Sequence, residues 1–105
     1  MTKMNSERLA GAVGLALRAG ALALGQQAVR DALKRGRASL LLLDPSASEG
    51  SRSEWEAAAR YRGIPVLVLP EAGMLEEATG RENARAACVS DPNFVRLIRR
   101  YADAE

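Results

Sequence analysis

The chain has 105 residues, 48% of them hydrophobic, 27% charged and 4% aromatic, with a formal net charge of +2. This is the balance of a globular protein long enough for one packed core, so a single domain spanning 1–105 is expected. With no histidine and one cysteine, structural zinc and an intrachain disulfide are excluded, and the serines lack a base for nucleophilic catalysis.

The charge is unevenly spread. Residues 1–37 hold seven Lys/Arg against Glu7 and Asp31, which is +5 for the first third and −3 for the rest. An anionic partner is therefore expected at the N-terminal portion, against the plainer account that the charges cancel across a solvated surface. The opening MTKMNSER lacks the apolar core of a signal peptide, and no apolar run approaches the roughly 20 residues that cross a bilayer. A cytoplasmic protein with no membrane partner is expected.

Asn5 or Ser6 is expected to cap a first helix with Leu9, Val13, Ala16 and Leu17 on its apolar face, Arg18 in the last turn and Gly20 at its end. Gly11 and Gly14 weaken that helix and allow close packing. A short strand at 21–24 leads into Gly25 and a second helix ending at Gly36. Its inner face is Ala28, Val29, Ala32 and Leu33, its outer face Gln27, Arg30, Asp31 and Lys34. The run of leucines at 40–43, closed by Asp44-Pro45, is too continuously apolar for an amphipathic helix and reads as a strand buried on both faces.

Three overlapping capping boxes, Ser46 with Glu49, Ser51 with Glu54 and Ser53 with Glu56, mark the start of a third helix without fixing its first residue. Trp55, Ala58, Ala59 and Arg62 share a face of it, and Gly63 stops it. Residues 64–69 read as a third core strand with Pro65 near its start. A short helix at 74–79 ends at Gly80, the polar loop 81–83 precedes a strand at 84–89, and Asp91-Pro92 opens a last helix with Phe94, Leu97, Ile98 and Tyr101 inside. The order α-β-α-β-α-β-α-β-α implies an α/β fold, a three-layer α/β/α sandwich around a central four-stranded sheet.

Chemistry is sparse. Cys88 lies in an apolar run and reads as a buried thiol. Asp44, Glu49 and Glu54 could gather around magnesium, but a turn aspartate and glutamates complementing a helix dipole account for them, so no metal or cofactor is expected. Gly11 to Gly14 sits inside a helix and fails the strand-to-helix context of a dinucleotide fingerprint.

What remains is recognition. The start of the second helix offers unpaired N–H groups and the positive end of a dipole, which suit a phosphate or a sharply bent nucleic-acid backbone. Gly25, Gln26 and Gln27 add two side-chain amides for base edges, and Arg30 and Lys34, one turn apart, reach phosphates. The polar loop Gly80, Arg81, Glu82, Asn83 and Ala84 is the second candidate. The plainer account of both is a glycine-capped helix start and a solvated loop.

The strings LALRAGALALGQQAVRDALKRGRASLLLLDPSASEGSRSEW, GIPVLVLPEAGMLEEATGREN and SDPNFVRLI resemble the kink-turn RNA-binding ribosomal protein family, the large-subunit ribosomal protein seven-Ae and its relatives, and within it the small bacterial YlxQ-like branch. The resemblance runs from about Leu9 to Ile98. It implies a non-enzymatic RNA-binding protein whose second-helix start and last helix-to-strand loop grip a kinked or ribosomal RNA, in association with the ribosome or a translation factor.

The chain departs from the archaeal members of that family. They follow the glycine turn with an Asn-Glu pair and then a Lys, where this sequence has Gln27, Ala28 and Asp31; Glu76 and Glu77 stand where a Gly and a basic residue are common. The alternative these departures raise is a protein-interaction module on the same fold, with RNA binding reduced or lost.

Overall fold

The computed structural model of the chain describes residues 3–103. Along it run α1 (Lys3–Arg18), β1 (Leu22–Leu24), α2 (Gln26–Lys34), β2 (Leu40–Leu43), α3 (Glu49–Tyr61), β3 (Val66–Val68), α4 (Met74–Thr79), β4 (Ala86–Val89) and α5 (Pro92–Asp103). The four strands form one sheet in the order β1-β4-β2-β3. β2 and β3 are parallel, whereas β4 runs antiparallel to both of its neighbours. The last strand thus enters the centre of the sheet, between the first two.

β2 shows why the leucine run has no polar partner. Leu40 and Leu42 face a cluster containing Leu9 and Val13 of α1, Leu75 of α4 and Ile98 of α5. Leu41 and Leu43 face Val29 and Leu33 of α2 and Trp55 and Ala59 of α3. A strand with helices over both faces has no solvent side, and all four leucines are 0% exposed. The architecture is the α/β/α sandwich expected from the element order.

Several local expectations need correction. Asn5 and Ser6 do not cap α1, which already runs through them. Ser6 is buried, and its hydroxyl donates to Glu71 Oε1 at 3.2 Å, so a contact 65 residues away replaces the local cap. None of the three capping boxes supplies the N-cap of α3. That residue is Ser48, whose hydroxyl accepts the Ser51 N–H at 3.2 Å, because Ser46 is engaged by Asp44 instead. β3 is an edge strand with half-buried residues, not a core strand, and an edge is where Pro65 is tolerated.

Gly14 sets the approach of two helices. A Cβ there would lie 3.0 Å from the carbonyl oxygen of Ala78 in α4, while Gly11 faces open space. Cys88 is 1% exposed, and burial pushes its thiol up to about 12, which makes it inert at neutral pH. Among the described residues, no helix is long and apolar enough to cross a membrane.

Candidate functional site

Three chain segments meet at the start of β4. The first is the turn into α2, where Gly25 has φ 95° and ψ 162°, a conformation that favours glycine. Its N–H donates to the Ala86 carbonyl at 3.2 Å, and its own carbonyl accepts the Val29 N–H at 2.9 Å. The first turn of α2 is thereby fixed against the first residue of β4.

The second segment is the end of β2. The Asp44 N–H donates to the Arg85 carbonyl at 2.9 Å. Its Oδ1 accepts the Ser46 N–H at 2.9 Å and the Ser46 hydroxyl at 2.5 Å, and its Oδ2 accepts the Gly73 N–H at 2.9 Å. Burial pushes this carboxyl up, but the Ser46 and Gly73 hydrogen bonds and the nearby Arg85 charge outweigh it and leave it below the usual range. Asp44 therefore ties the turn into α3 to the turn into α4 through its side chain, and both to the start of β4 through its backbone N–H.

The third is the loop from α4 to β4. Asn83 takes a left-handed conformation, φ 61°, and donates its N–H to Glu76 Oε2 at 3.1 Å. Arg85 Nη1 donates to Glu76 Oε1 at 2.6 Å. The Arg85 hydrogen bond, then that of Asn83, hold the Glu76 carboxyl below its ordinary value.

Between these segments lies a cleft of about 190 Å³ whose walls include Gly25, Gln26, Ser48, Trp55, Asn83 and Arg85. Of the residues singled out from the sequence, Gly25, Gln26 and Asn83 share it. Arg30 sits just outside, its guanidinium 5.6 Å from the centre of the Trp55 ring and 3.4 Å from Glu54 Oε1. Lys34, Gly80, Arg81 and Glu82 are exposed, whereas Ala84 is 4% exposed and can offer little beyond its backbone. The Gln27 amide donates to Asp31 Oδ1 at 3.4 Å. Ala28 and Asp31 line a larger groove of about 370 Å³ between α2 and β1, together with Arg35 and Arg37.

Arg85 was missed in the sequence because it is a lone charge in the apolar stretch 84–89; that isolation was its only signal. Trp55, read from the sequence as sharing a helix face with Ala58, Ala59 and Arg62, is buried in the core and also lines the cleft. The cleft presents hydrogen-bond donors from the start of α2 and from the guanidinium. Among the described residues no three His, Cys, Asp or Glu side chains are grouped to hold a metal ion, and Asp44 has both oxygens engaged within the protein.

The ribosomal protein L7Ae/L30e/S12e/Gadd45 family matches residues 7–95. The chain belongs to this family. Among solved structures it is similar to a Bacillus halodurans protein of unknown function, with 27% identity over 92% of this chain and 98% of the other and a TM-score of 0.84. It also shares its fold with a Giardia lamblia 15.5 kD RNA-binding protein, with 15% identity over 98% of this chain and 88% of the other and a TM-score of 0.72. Among curated proteins none matches. In this L7Ae-family chain the glycine turn, Asp44 and the α4–β4 loop all converge on the first residues of β4.

Proposed function

We propose that this L7Ae-family protein acts as one non-enzymatic RNA-binding domain that recognises structured RNA of the kink-turn or ribosomal kind. The observation that carries this is the shared cleft: Gly25 and Gln26, from the start of α2, and Asn83, from the α4–β4 loop, line one recess 57 to 58 residues apart in sequence. Membership in a ribosomal protein family supports it, as does the fold shared with a protein named for RNA binding. Gly25, Gln26 and Gln27 contact bases or sugars, Arg30 and Lys34 hold phosphates, and the loop Gly80, Arg81, Glu82, Asn83 and Ala84 closes over the strand. The ribosome or a translation factor is the associated assembly.

Arg30 is free to serve, because its pair with Glu54 is exposed on both sides and such pairs contribute on the order of 0–1 kcal/mol. Each phosphate contact releases about one counterion, so Arg30→Ala should flatten the slope of log affinity against log salt by roughly one unit. An unchanged affinity and slope would remove this helix face from the RNA surface.

A second reading has its own observation. Gln27 is already bonded to Asp31, and Asp31 is a negative charge one turn into the helix. On that reading α2 no longer suits RNA and the fold serves as a protein-docking module.

A further inference from the structure

Resting on the RNA-binding reading, we propose that Glu76 and Arg85 form an exchangeable ion pair, in which an RNA phosphate replaces the Glu76 carboxylate on the Arg85 guanidinium. Glu76 is then a built-in competitor that sets the affinity of the site.

The geometry suits exchange. Both side chains are about one-third exposed, at 38% for Arg85 and 35% for Glu76, so solvent and a ligand can reach them. The contact is through one guanidinium nitrogen: Nη1 meets Glu76 Oε1 at 2.6 Å and lies 3.4 Å from the Ala84 carbonyl, whereas Nη2 and Nε make no hydrogen bond among the described residues. Once Glu76 lets go, Nη1 and its neighbour Nη2 together offer the two parallel N–H groups through which an incoming phosphate binds. Arg85 also lines the cleft with Gly25, Gln26 and Asn83, and its backbone is fixed by the Asp44 N–H.

The other acid facing Arg85 cannot compete in the same way. Asp44 is 0% exposed, and both its oxygens are held by Ser46 and Gly73. Glu76 differs, because releasing Arg85 leaves its second oxygen still accepting the Asn83 N–H. The loop can therefore keep its shape while the cation changes partner. This also gives a role to an acidic residue that otherwise looks misplaced beside an RNA.

The test is a fluorescence-anisotropy titration of a labelled kink-turn RNA across a salt series, with the full chain, Glu76→Gln, Arg85→Met and the double variant. Glutamine keeps an oxygen for the Asn83 N–H and removes the charge. Exchange predicts that Glu76→Gln binds about three- to tenfold tighter at low salt, with a slope steeper by roughly one unit. It predicts that this gain shrinks to within about twofold once Arg85 is Met. Circular dichroism verifies that each variant is folded.

Glu76→Gln binding no tighter than the parent overturns the exchange, and so does a gain that persists without Arg85, which would mark simple relief of repulsion. A parent chain that does not bind the RNA overturns the RNA-binding reading itself, and the exchange with it. Parent binding without the Glu76 effect overturns the exchange alone.

Discussion

At the scale of single residues, Asp44 is not among the residues that line the candidate cleft, yet three hydrogen bonds from Ser46 and Gly73 end on its carboxylate. Asp44→Asn puts an NH₂ where an acceptor is required, so at least one part-buried donor faces another donor. A loss of roughly 2 kcal/mol of stability at neutral pH is expected, readable from urea unfolding. The pH dependence follows from the direction of the shift. A carboxyl held below its ordinary value of 3.8 in the folded state stabilises above that value and loses the contribution as the pH falls through the folded-state value. The gap between parent and variant should therefore narrow below about pH 4. A gap that is the same at pH 7 and pH 3 would contradict this role for the charge.

Residues of this kind mark how far the sequence could be followed. Asp44 reads correctly as a turn residue, because Asp-Pro after an apolar strand is a local signal. Its partner Gly73 is 29 positions away, and no local pattern reports such a pairing. Arg85 and Ser6 were misjudged for the same reason: Arg85 is placed by Glu76 and Asp44, Ser6 by Glu71.

At the scale of elements, the order of helices and strands was legible because hydrophobic period and glycine stops are local. Gly36, with φ 69°, ends α2 where the sequence places the stop: its N–H donates to the Leu33 carbonyl and that of Arg37 to the Ala32 carbonyl. The first residue of α3 was not legible, since Ser46, Ser48, Ser51 and Ser53 all have capping chemistry and the choice depends on which one Asp44 claims. The α1–α4 contact gives an element-level prediction. Gly11→Ala, in open space, should stabilise the protein by about 0.5–1 kcal/mol through helix propensity. Gly14→Ala gains the same propensity but presses a methyl against the Ala78 backbone at 3.0 Å, an overpacking cost of roughly 1–3 kcal/mol, so it should be net destabilising. Thermal midpoints moving upward by equal amounts in both variants would show that α1 and α4 are not held that closely.

At the scale of the whole molecule, the sandwich was legible and the strand order was not. That β4 enters between β1 and β2 is a matter of tertiary pairing, with Leu22 opposite Val89 on one side and Leu40 opposite Val89 on the other. The order has a functional consequence, because a central β4 is what brings its own entering loop between the starts of α2 and α3. Pairing with β1 sets the start of β4 beside Gly25 and pairing with β2 sets it beside Asp44, so an edge position would have lost one of the two. The uneven charge of the sequence fits an anionic partner, although Asp31 and Glu76 sit among the basic groups and moderate it.

On the proposed function this fold recognises the bend of an RNA and not merely its charge. The direct measurement is a fluorescence titration of the purified protein, at moderate salt, with a kink-turn RNA and with an unkinked duplex of matched length. Clearly tighter binding to the kinked RNA is expected, by at least about tenfold, or ~1.4 kcal/mol. Equal, weak binding to both would contradict it and favour the protein-docking reading.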